Sequence, residues 1–112
     1  MQVVKKENNF KSLYSTKQYE KNELIWKLIG EIKKNPTRTS IEISKECHIE
    51  DEWGQYMNHS FTPNCKIENG YIVSLKEIDK NEELTFNYNE NETKMTHPFY
   101  DSKTNKYVKG KT

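Results

Sequence analysis

The chain has 112 residues and a mass of 13.4 kDa, which fits one small domain and excludes a two-domain enzyme. Only 32% of the residues are hydrophobic and the mean hydropathy is −1.10, but seven Tyr, four Phe and two Trp argue against disorder and predict a small, tyrosine-rich core. A formal net charge of +1 does not indicate a nucleic-acid binder.

The charges are unevenly distributed along the chain. Residues 1–48 hold ten basic and six acidic side chains, residues 49–92 hold three and ten, and residues 93–112 hold five and one. An acidic centre between basic ends can attract a cationic partner such as a lysine-bearing peptide. The alternative interpretation is that these charges only solvate the faces of a very polar protein.

The first half of the chain predicts short strands. Lys11–Lys17 and Thr39–Ser44 alternate apolar and polar residues, as strands with one buried face do. Glu23–Ile32 carries apolar residues on both faces, which predicts a central strand that ends before Pro36, with a short helix as the alternative.

The middle of the chain predicts a helical turn, a loop and a hairpin. Glu50–Ser60 shows no alternation and predicts a tight helical turn that leads into a loop. Cys65–Glu68 and Tyr71–Lys76 then flank Asn69-Gly70, a pair typical of a type I′ hairpin turn because both residues tolerate positive φ.

The last third predicts a turn, a strand and a polar tail. Asp79–Glu82 predicts a turn, and Leu84–Tyr88 alternates as a final strand. In the tail after Asn89, only Phe99-Tyr100 is predicted to dock, and a frayed tail is the alternative. About seven short strands with little helix predict a mostly β fold built from small folded-over sheets.

Cysteine content and the amino terminus bear on the cellular location. Cys47 and Cys65 cannot supply a four-ligand zinc site, and although one disulfide can be written, nothing suggests a secreted protein. The segment MQVVKKENNF lacks an apolar signal core, and no apolar run approaches the length of a membrane helix. We therefore expect a soluble, intracellular protein without membrane association.

Two segments carry residues suited to chemistry: NHSFTPNC at 58–65 and EELTFNY at 82–88. Taken alone, His59 and Cys65 can form a base and a nucleophile. Asn58 and His59 can equally brace the loop by hydrogen bonding to its backbone.

Together the two segments resemble the signature of SET-domain protein lysine methyltransferases. The first matches the family's Asn-His-Ser-x-x-Pro-Asn-Cys motif, and the second matches Glu-Glu-Leu-Thr, an aromatic residue, Asp or Asn, and Tyr. The resemblance extends over roughly residues 3–92. It implies a SET domain over 1–92, made of small twisted sheets with a pseudoknot, followed by a short basic tail over 93–112.

The resemblance also implies S-adenosyl-L-methionine as cofactor and a protein or peptide lysine, on a histone or another protein, as substrate. Tyr88 would be the catalytic residue, although it can also simply end a core strand. The implied cofactor-binding residues are Lys11, Ser12, Leu13, Asn58, His59, Tyr88 and Phe99. The implied substrate-channel residues are Tyr56, Phe86 and Tyr100, and no metal is expected.

Three departures from the family pattern stand out. Phe10-Lys11-Ser12 replaces a Gly-x-Gly whose glycines let the backbone approach the cofactor, so Phe10 is expected to crowd the pocket. Gln55 stands where an Arg is common. The segment after residue 92 contains no cysteine, so the cysteine-rich zinc module of many relatives is not expected.

Alternatives from other functional classes remain open at the level of sequence. A catalytically inactive SET module that binds a partner is favoured by the changes at Phe10 and Gln55. A small β-rich nucleic-acid binder is disfavoured by the balanced charge. The resemblance further implies that a homodimer can form, and that the location is the cytoplasm, or the nucleus if the substrate is a histone.

Overall fold

The computed structural model describes residues 2–7, 10–93, 95–101 and 104–111, and for residues 2–7, 10 and 11 it describes the backbone only. The fold is mostly β, as predicted. A 3-10 turn (Gly54–Tyr56) and one short helical turn, α1 (Tyr88–Asn91), interrupt the strands. The strands are β1 (Gln2–Glu7), β2 (Phe10–Ser15), β3 (Leu24–Lys27), β4 (Gly30–Lys33), β5 (Ile41–Ser44), β6 (Cys47–Asp51), β7 (Asn58–His59), β8 (Cys65–Glu68), β9 (Tyr71–Ser74), β10 (Thr85–Phe86), β11 (Phe99–Asp101) and β12 (Lys106–Val108).

These strands form several small sheets. β1 and β2 make an antiparallel hairpin, β3-β9-β8 and β4-β6-β5 make two three-stranded antiparallel sheets, and β11 pairs with β12. β7 and β10 are the one parallel pair among the described strands. Because parallel neighbours need a long connection, this pair joins distant parts of the chain.

The most apolar run, Glu23–Ile32, is two strands and not the single central strand that its pattern predicts. The chain leaves one sheet and enters the next at Leu28 and Ile29, whose amides donate to the Gly70 carbonyl at 2.9 Å and to the Asp51 carboxylate at 2.9 Å. Gly30 then lies so close to β6 that a Cβ there would be 1.8 Å from the Glu50 carbonyl oxygen. Of the apolar residues in this run only Leu28 is buried, whereas Leu24, Ile29 and Ile32 are exposed, so apolar residues on both faces do not mark a central strand here.

The region Glu50–Ser60 contains the predicted helical turn, but its two ends are strands. The start belongs to β6, and Asn58–His59 is β7. The predicted final strand is also shorter than expected, because Asn87 ends it and caps α1. Its side chain accepts hydrogen bonds from the amides of Asn89 and Glu90, which satisfies donors that an uncapped turn would leave unpaired.

The two predicted turns are confirmed. Asn69 and Gly70 have φ values of 52° and 80° between β8 and β9, as a type I′ turn requires. In the turn over Asp79–Glu82, Asn81 has φ 69° and the Glu82 amide donates to the Asp79 carbonyl at 3.1 Å.

The core is mainly aliphatic, which differs from the predicted tyrosine-rich core. Of the seven tyrosines only Tyr19 is fully buried, because a buried phenol must also find a hydrogen-bond partner. Tyr56 and Tyr88 pack partly buried against the core, as does Trp53. The buried cluster comprises Leu13, Tyr19, Leu28, Ile41, Ile49, Met57, Cys65, Ile72, Ile78, Leu84 and Phe86.

The tail docks through different residues from those predicted. Phe99 and Tyr100 are exposed, whereas Val108 of β12 is fully buried. The side chain of Asn89 in α1 accepts hydrogen bonds from the amides of Lys109 and Gly110 at 2.9 and 3.0 Å. A frayed tail is therefore also the wrong expectation for the described part of this segment.

Two further observations concern the chain as a whole. Cys47 and Cys65 are both free thiols. Within the part of the chain that the structure describes, no helix is long and apolar enough to cross a membrane.

Candidate active site

The parallel pair β7–β10 brings the two sequence motifs side by side. Asn58 is in register with Thr85 and His59 with Phe86, and the Ser60 amide donates to the Phe86 carbonyl at 3.1 Å. Residues that are far apart in the sequence therefore share one site.

The side chain of Asn58 connects three segments of the chain. Its amide nitrogen donates to the Ser12 hydroxyl at 2.9 Å and to the Glu83 carboxylate at 2.8 Å. Ser12, where the sequence departs from Gly-x-Gly, is thus hydrogen-bonded to Asn58 of the first motif. The side chain of Leu13 is fully buried in the core, so any contact it makes with a ligand must use its backbone.

A second asparagine, Asn64, fastens the first motif to the second. It is buried, and its side-chain amide donates to the Glu82 carboxylate at 2.9 Å and to the Glu83 carbonyl at 2.7 Å. Its side-chain oxygen accepts from the Thr85 amide at 2.9 Å. Asn64 belongs to the first motif, but no local pattern distinguishes its structural role from the roles of its neighbours in that motif.

His59 lies between the motifs with one ring nitrogen occupied. Its Nδ1 accepts from the Tyr88 amide at 3.0 Å, so in the neutral ring the proton is on Nε2. Burial lowers the pKa of His59, and the Asp101 carboxylate opposes this only in part, so the ring is neutral at pH 7. Among the described residues, Nε2 is buried and has no hydrogen-bond partner.

Tyr88 begins α1, and its hydroxyl is hydrogen-bonded to the residue directly before the first motif. The hydroxyl donates to the Met57 carbonyl at 2.5 Å, and the ring lies 4.8 Å from the Phe86 ring. Burial raises the pKa of Tyr88 well above its ordinary value, and the carboxylates of Glu92 and Glu83 raise it further. The phenol is therefore neutral at physiological pH and cannot act as an anionic base.

This arrangement agrees with a comparison of the sequence with known families. The family model described as "SET domain" matches residues 9–89, which is most of the chain. The chain belongs to the SET-domain family. No curated protein sequence matches it at a significant level.

A small cavity of about 60 Å³ lies beside Tyr88 in this SET domain. Of the three predicted channel residues, Phe86 lines it, whereas Tyr56 and Tyr100 are not among the described residues of its wall. Tyr100 is exposed and packs on Tyr107, with ring centroids 5.2 Å apart. The wall consists of Pro36, Thr37, Arg38, Thr39, Ser40, Ile41, Gly54, Gln55, Met57, Phe86, Tyr88, Glu92, Met95, Thr96 and His97.

Phe99 reaches the site from the tail. Its ring centroid is 6.3 Å from that of His59 and 6.4 Å from that of Tyr88. Phe99 is exposed, so it lies near these two rings without being buried against them, and its role at the cofactor stays a prediction. The side chains of Phe10 and Lys11 lie outside the described part of the structure, so their predicted roles at the cofactor stay predictions.

The nucleophile–base hypothesis for Cys65 and His59 does not fit this geometry. Cys65 is 1% exposed, and burial raises the pKa of its thiol to about 12, so it is protonated at neutral pH. The described residues also contain no group of three or more His, Cys, Asp or Glu that could hold a metal ion.

Replacing Asn58 with alanine should destabilise the domain by about 1–3 kcal/mol, because Ser12 and the partly buried Glu83 carboxylate lose their shared donor. Cofactor binding should weaken with it. Urea unfolding and calorimetric titration of S-adenosylmethionine measure the two effects. Asn35→Ala, an exposed asparagine, is the matched control. Parent-like stability and affinity for Asn58→Ala would remove Asn58 from the site.

Proposed function

We propose that this SET domain is a methyltransferase that uses S-adenosylmethionine to methylate a lysine side chain of a protein. The observation that carries the proposal is the joint placement of Asn58, His59 and Tyr88 around one site by the β7–β10 pair. The cavity beside Tyr88 supports it, because a narrow space bordered by an ordered phenol suits an unbranched amine chain.

The residues present fit the cofactor in one testable respect. The buried Nε2–H of His59 lacks an acceptor among the described residues, and an unpaired buried donor is costly unless a ligand or water satisfies it. The cofactor offers such acceptors in its ring nitrogens, hydroxyls and carboxylate. Ser12, Asn58 and His59 would hold it on this side, with the Phe99 ring edge-on to the His59 ring at a centroid distance of 6.3 Å. When bound, it supplies a methyl group on a positively charged sulfur.

The task of the protein's own residues is mainly orientation. Methyl transfer to a neutral amine creates no new anion, so no oxyanion hole is needed, and holding the reactants in line accounts for much of the rate. Tyr88 suits this task because its hydroxyl is fixed on the Met57 carbonyl and stays neutral. Met57 and Tyr88 both line the cavity, so the two oxygens joined by this hydrogen bond are the acceptors we assign to a polarised methyl group or to the amine.

Water must be excluded from the same place. Ile41, Met57 and Phe86 are at most 3% exposed and form the apolar part of the cavity wall. In such surroundings the charged form of a lysine is disfavoured relative to water, where its pKa is about 10.4. The free amine that attacks the methyl group is therefore easier to form inside the cavity.

Methyl transfer from radiolabelled cofactor onto a cell lysate tests the proposal. We expect one or a few labelled bands, with the label on lysine when the bands are identified by mass spectrometry. Titration of S-adenosylmethionine by calorimetry provides a second readout that needs no substrate. No heat at millimolar cofactor together with no labelled lysine would instead favour an inactive SET module that binds a partner.

A further inference from the structure

A buried carboxylate that the proposed roles leave unused borders the cavity. Glu92 directly follows α1, is 5% exposed and lines the same cavity as Tyr88. Its amide donates to the Tyr88 carbonyl at 2.8 Å, so the two residues lie on one turn of the chain. Among the described residues, no lysine, arginine or histidine forms an ion pair with it.

The hydrogen bonds of Glu92 leave one carboxylate oxygen available. The Glu42 amide donates to Oε2 at 3.0 Å, and the Asn91 side chain donates to the same oxygen. Oε2 is therefore held firmly against β5. No hydrogen bond from the described residues is given to Oε1, which is the oxygen left for a ligand in the cavity that Glu92 lines.

The electrostatic surroundings of Glu92 favour the binding of a cation. Glu42 on β5 is a second negative charge that raises the pKa of Glu92, and Lys111 on the tail acts in the opposite direction. Burial raises the pKa of Glu92 to about 7, so it is poised between its two protonation states at neutral pH. Arg38 and His97 also line the cavity, from the β4–β5 connection and from the tail.

We propose that Glu92 binds the ammonium group of the substrate lysine inside this cavity and takes one proton from it before methyl transfer. The proposal rests on the proposed function and assigns its proton acceptor. Ile41, Met57 and Phe86 would contact the butyl chain, and Tyr88 would stand beside the nitrogen. The neutral Tyr88 phenol cannot serve as this acceptor, which leaves Glu92 as the one carboxylate among the described residues of the cavity wall.

The proton and electrons balance in two steps. First an N–H bond of the ammonium breaks and an O–H bond forms on Glu92, which gives a neutral amine and a neutral carboxylic acid. The lone pair of this amine could then accept the methyl group that the bound cofactor would supply, and the sulfur would keep the electron pair of the broken carbon–sulfur bond. Glu92 releases its proton to solvent after the methylated product leaves.

The test compares the parent with Glu92→Gln, which keeps the volume and an oxygen acceptor but cannot take a proton. Single-turnover methyl transfer onto a pool of lysine-containing peptides is measured at several values between pH 6 and 10. Because general base catalysis contributes about 100-fold or more, we expect Glu92→Gln to be about 100-fold slower at pH 7. Its rate should approach the parent rate near pH 10, where solvent deprotonates the lysine. Glu90→Gln, an exposed carboxylate on α1, is the matched control and should keep the parent profile.

Binding of n-butylammonium, followed by NMR, provides a readout independent of turnover. The parent should bind this lysine analogue and Glu92→Gln should bind it at least tenfold more weakly, whereas a merely structural carboxylate predicts equal binding. Identical pH–rate profiles for the parent and Glu92→Gln would overturn the proposal. If the parent transfers no methyl group, the proposed function fails. Loss of butylammonium binding in Glu92→Gln would then still support the ammonium site, and unchanged binding would overturn it.

Discussion

Replacing Tyr88 with phenylalanine should lower the single-turnover rate of methyl transfer by about 10- to 1,000-fold, the range expected for loss of one hydrogen bond made in the transition state. The ring, its contact with Phe86 and the start of α1 are kept, and only the hydroxyl on the Met57 carbonyl is removed. Affinity for S-adenosylmethionine should stay close to that of the parent. The measurement is methyl transfer under saturating cofactor, with calorimetry for the affinity.

The structure also predicts a stability effect for this variant. In this variant the Met57 carbonyl loses the hydroxyl that donates to it. Because Met57 is 2% exposed, water cannot easily replace that donor, and the free energy of unfolding should fall by about 1 kcal/mol. Tyr107→Phe changes an exposed tyrosine and is the matched control. Equal rates for the parent and Tyr88→Phe would remove the hydroxyl from the mechanism. A stability loss without any parental turnover would favour the inactive module.

Glu92 should make the stability of the domain depend on pH. Burial raises its pKa from 4.5 in the unfolded chain to about 7 in the fold, so the folded protein holds this proton more tightly. The stabilisation that the fold gains from this tighter proton binding is fully present below about pH 4.5, and it is lost as the pH rises through 7. The free energy of unfolding of the parent should therefore fall, relative to Glu92→Gln, by roughly 3 kcal/mol between pH 4 and 8.

Urea unfolding of both proteins across this pH range measures the difference. Any fixed cost of the amide in Glu92→Gln cancels, because only the change with pH is compared. Glu90→Gln should follow the parent curve, since that side chain is exposed. Parallel curves for the parent and Glu92→Gln would mean that Glu92 is not buried as a titrating group.

The sequence predicted the features that depend on local chemistry. Asn69-Gly70 specified its turn because few other pairs accept positive φ at both positions. The two motifs identified the family, and the β7–β10 pair does bring them side by side. In these cases the residue types themselves indicate the local conformation or the family, without any knowledge of distant neighbours.

The features that depend on distant neighbours were not predictable in the same way. The apolar run Glu23–Ile32 predicts one buried central strand, but its two halves enter different sheets and most of its residues are exposed or only partly buried. Asn89 anchors the tail through backbone amides that no local pattern reveals. Glu92 resembles any surface glutamate in the sequence, and only the fold shows that it is buried beside Tyr88.

The parallel pairing of β7 with β10 has a consequence for how the domain folds. It joins residues 27 positions apart in the chain, and the bond from Asn58 to Ser12 spans 46. Contacts of this range form only after costly loop closure, so folding should be slow and no short fragment should retain the site. The Ser60 and Thr85 amides should exchange with solvent only when the whole domain opens. A ligand bound there would therefore slow the unfolding of the entire chain, and substitutions far from it would change activity by changing the folded fraction.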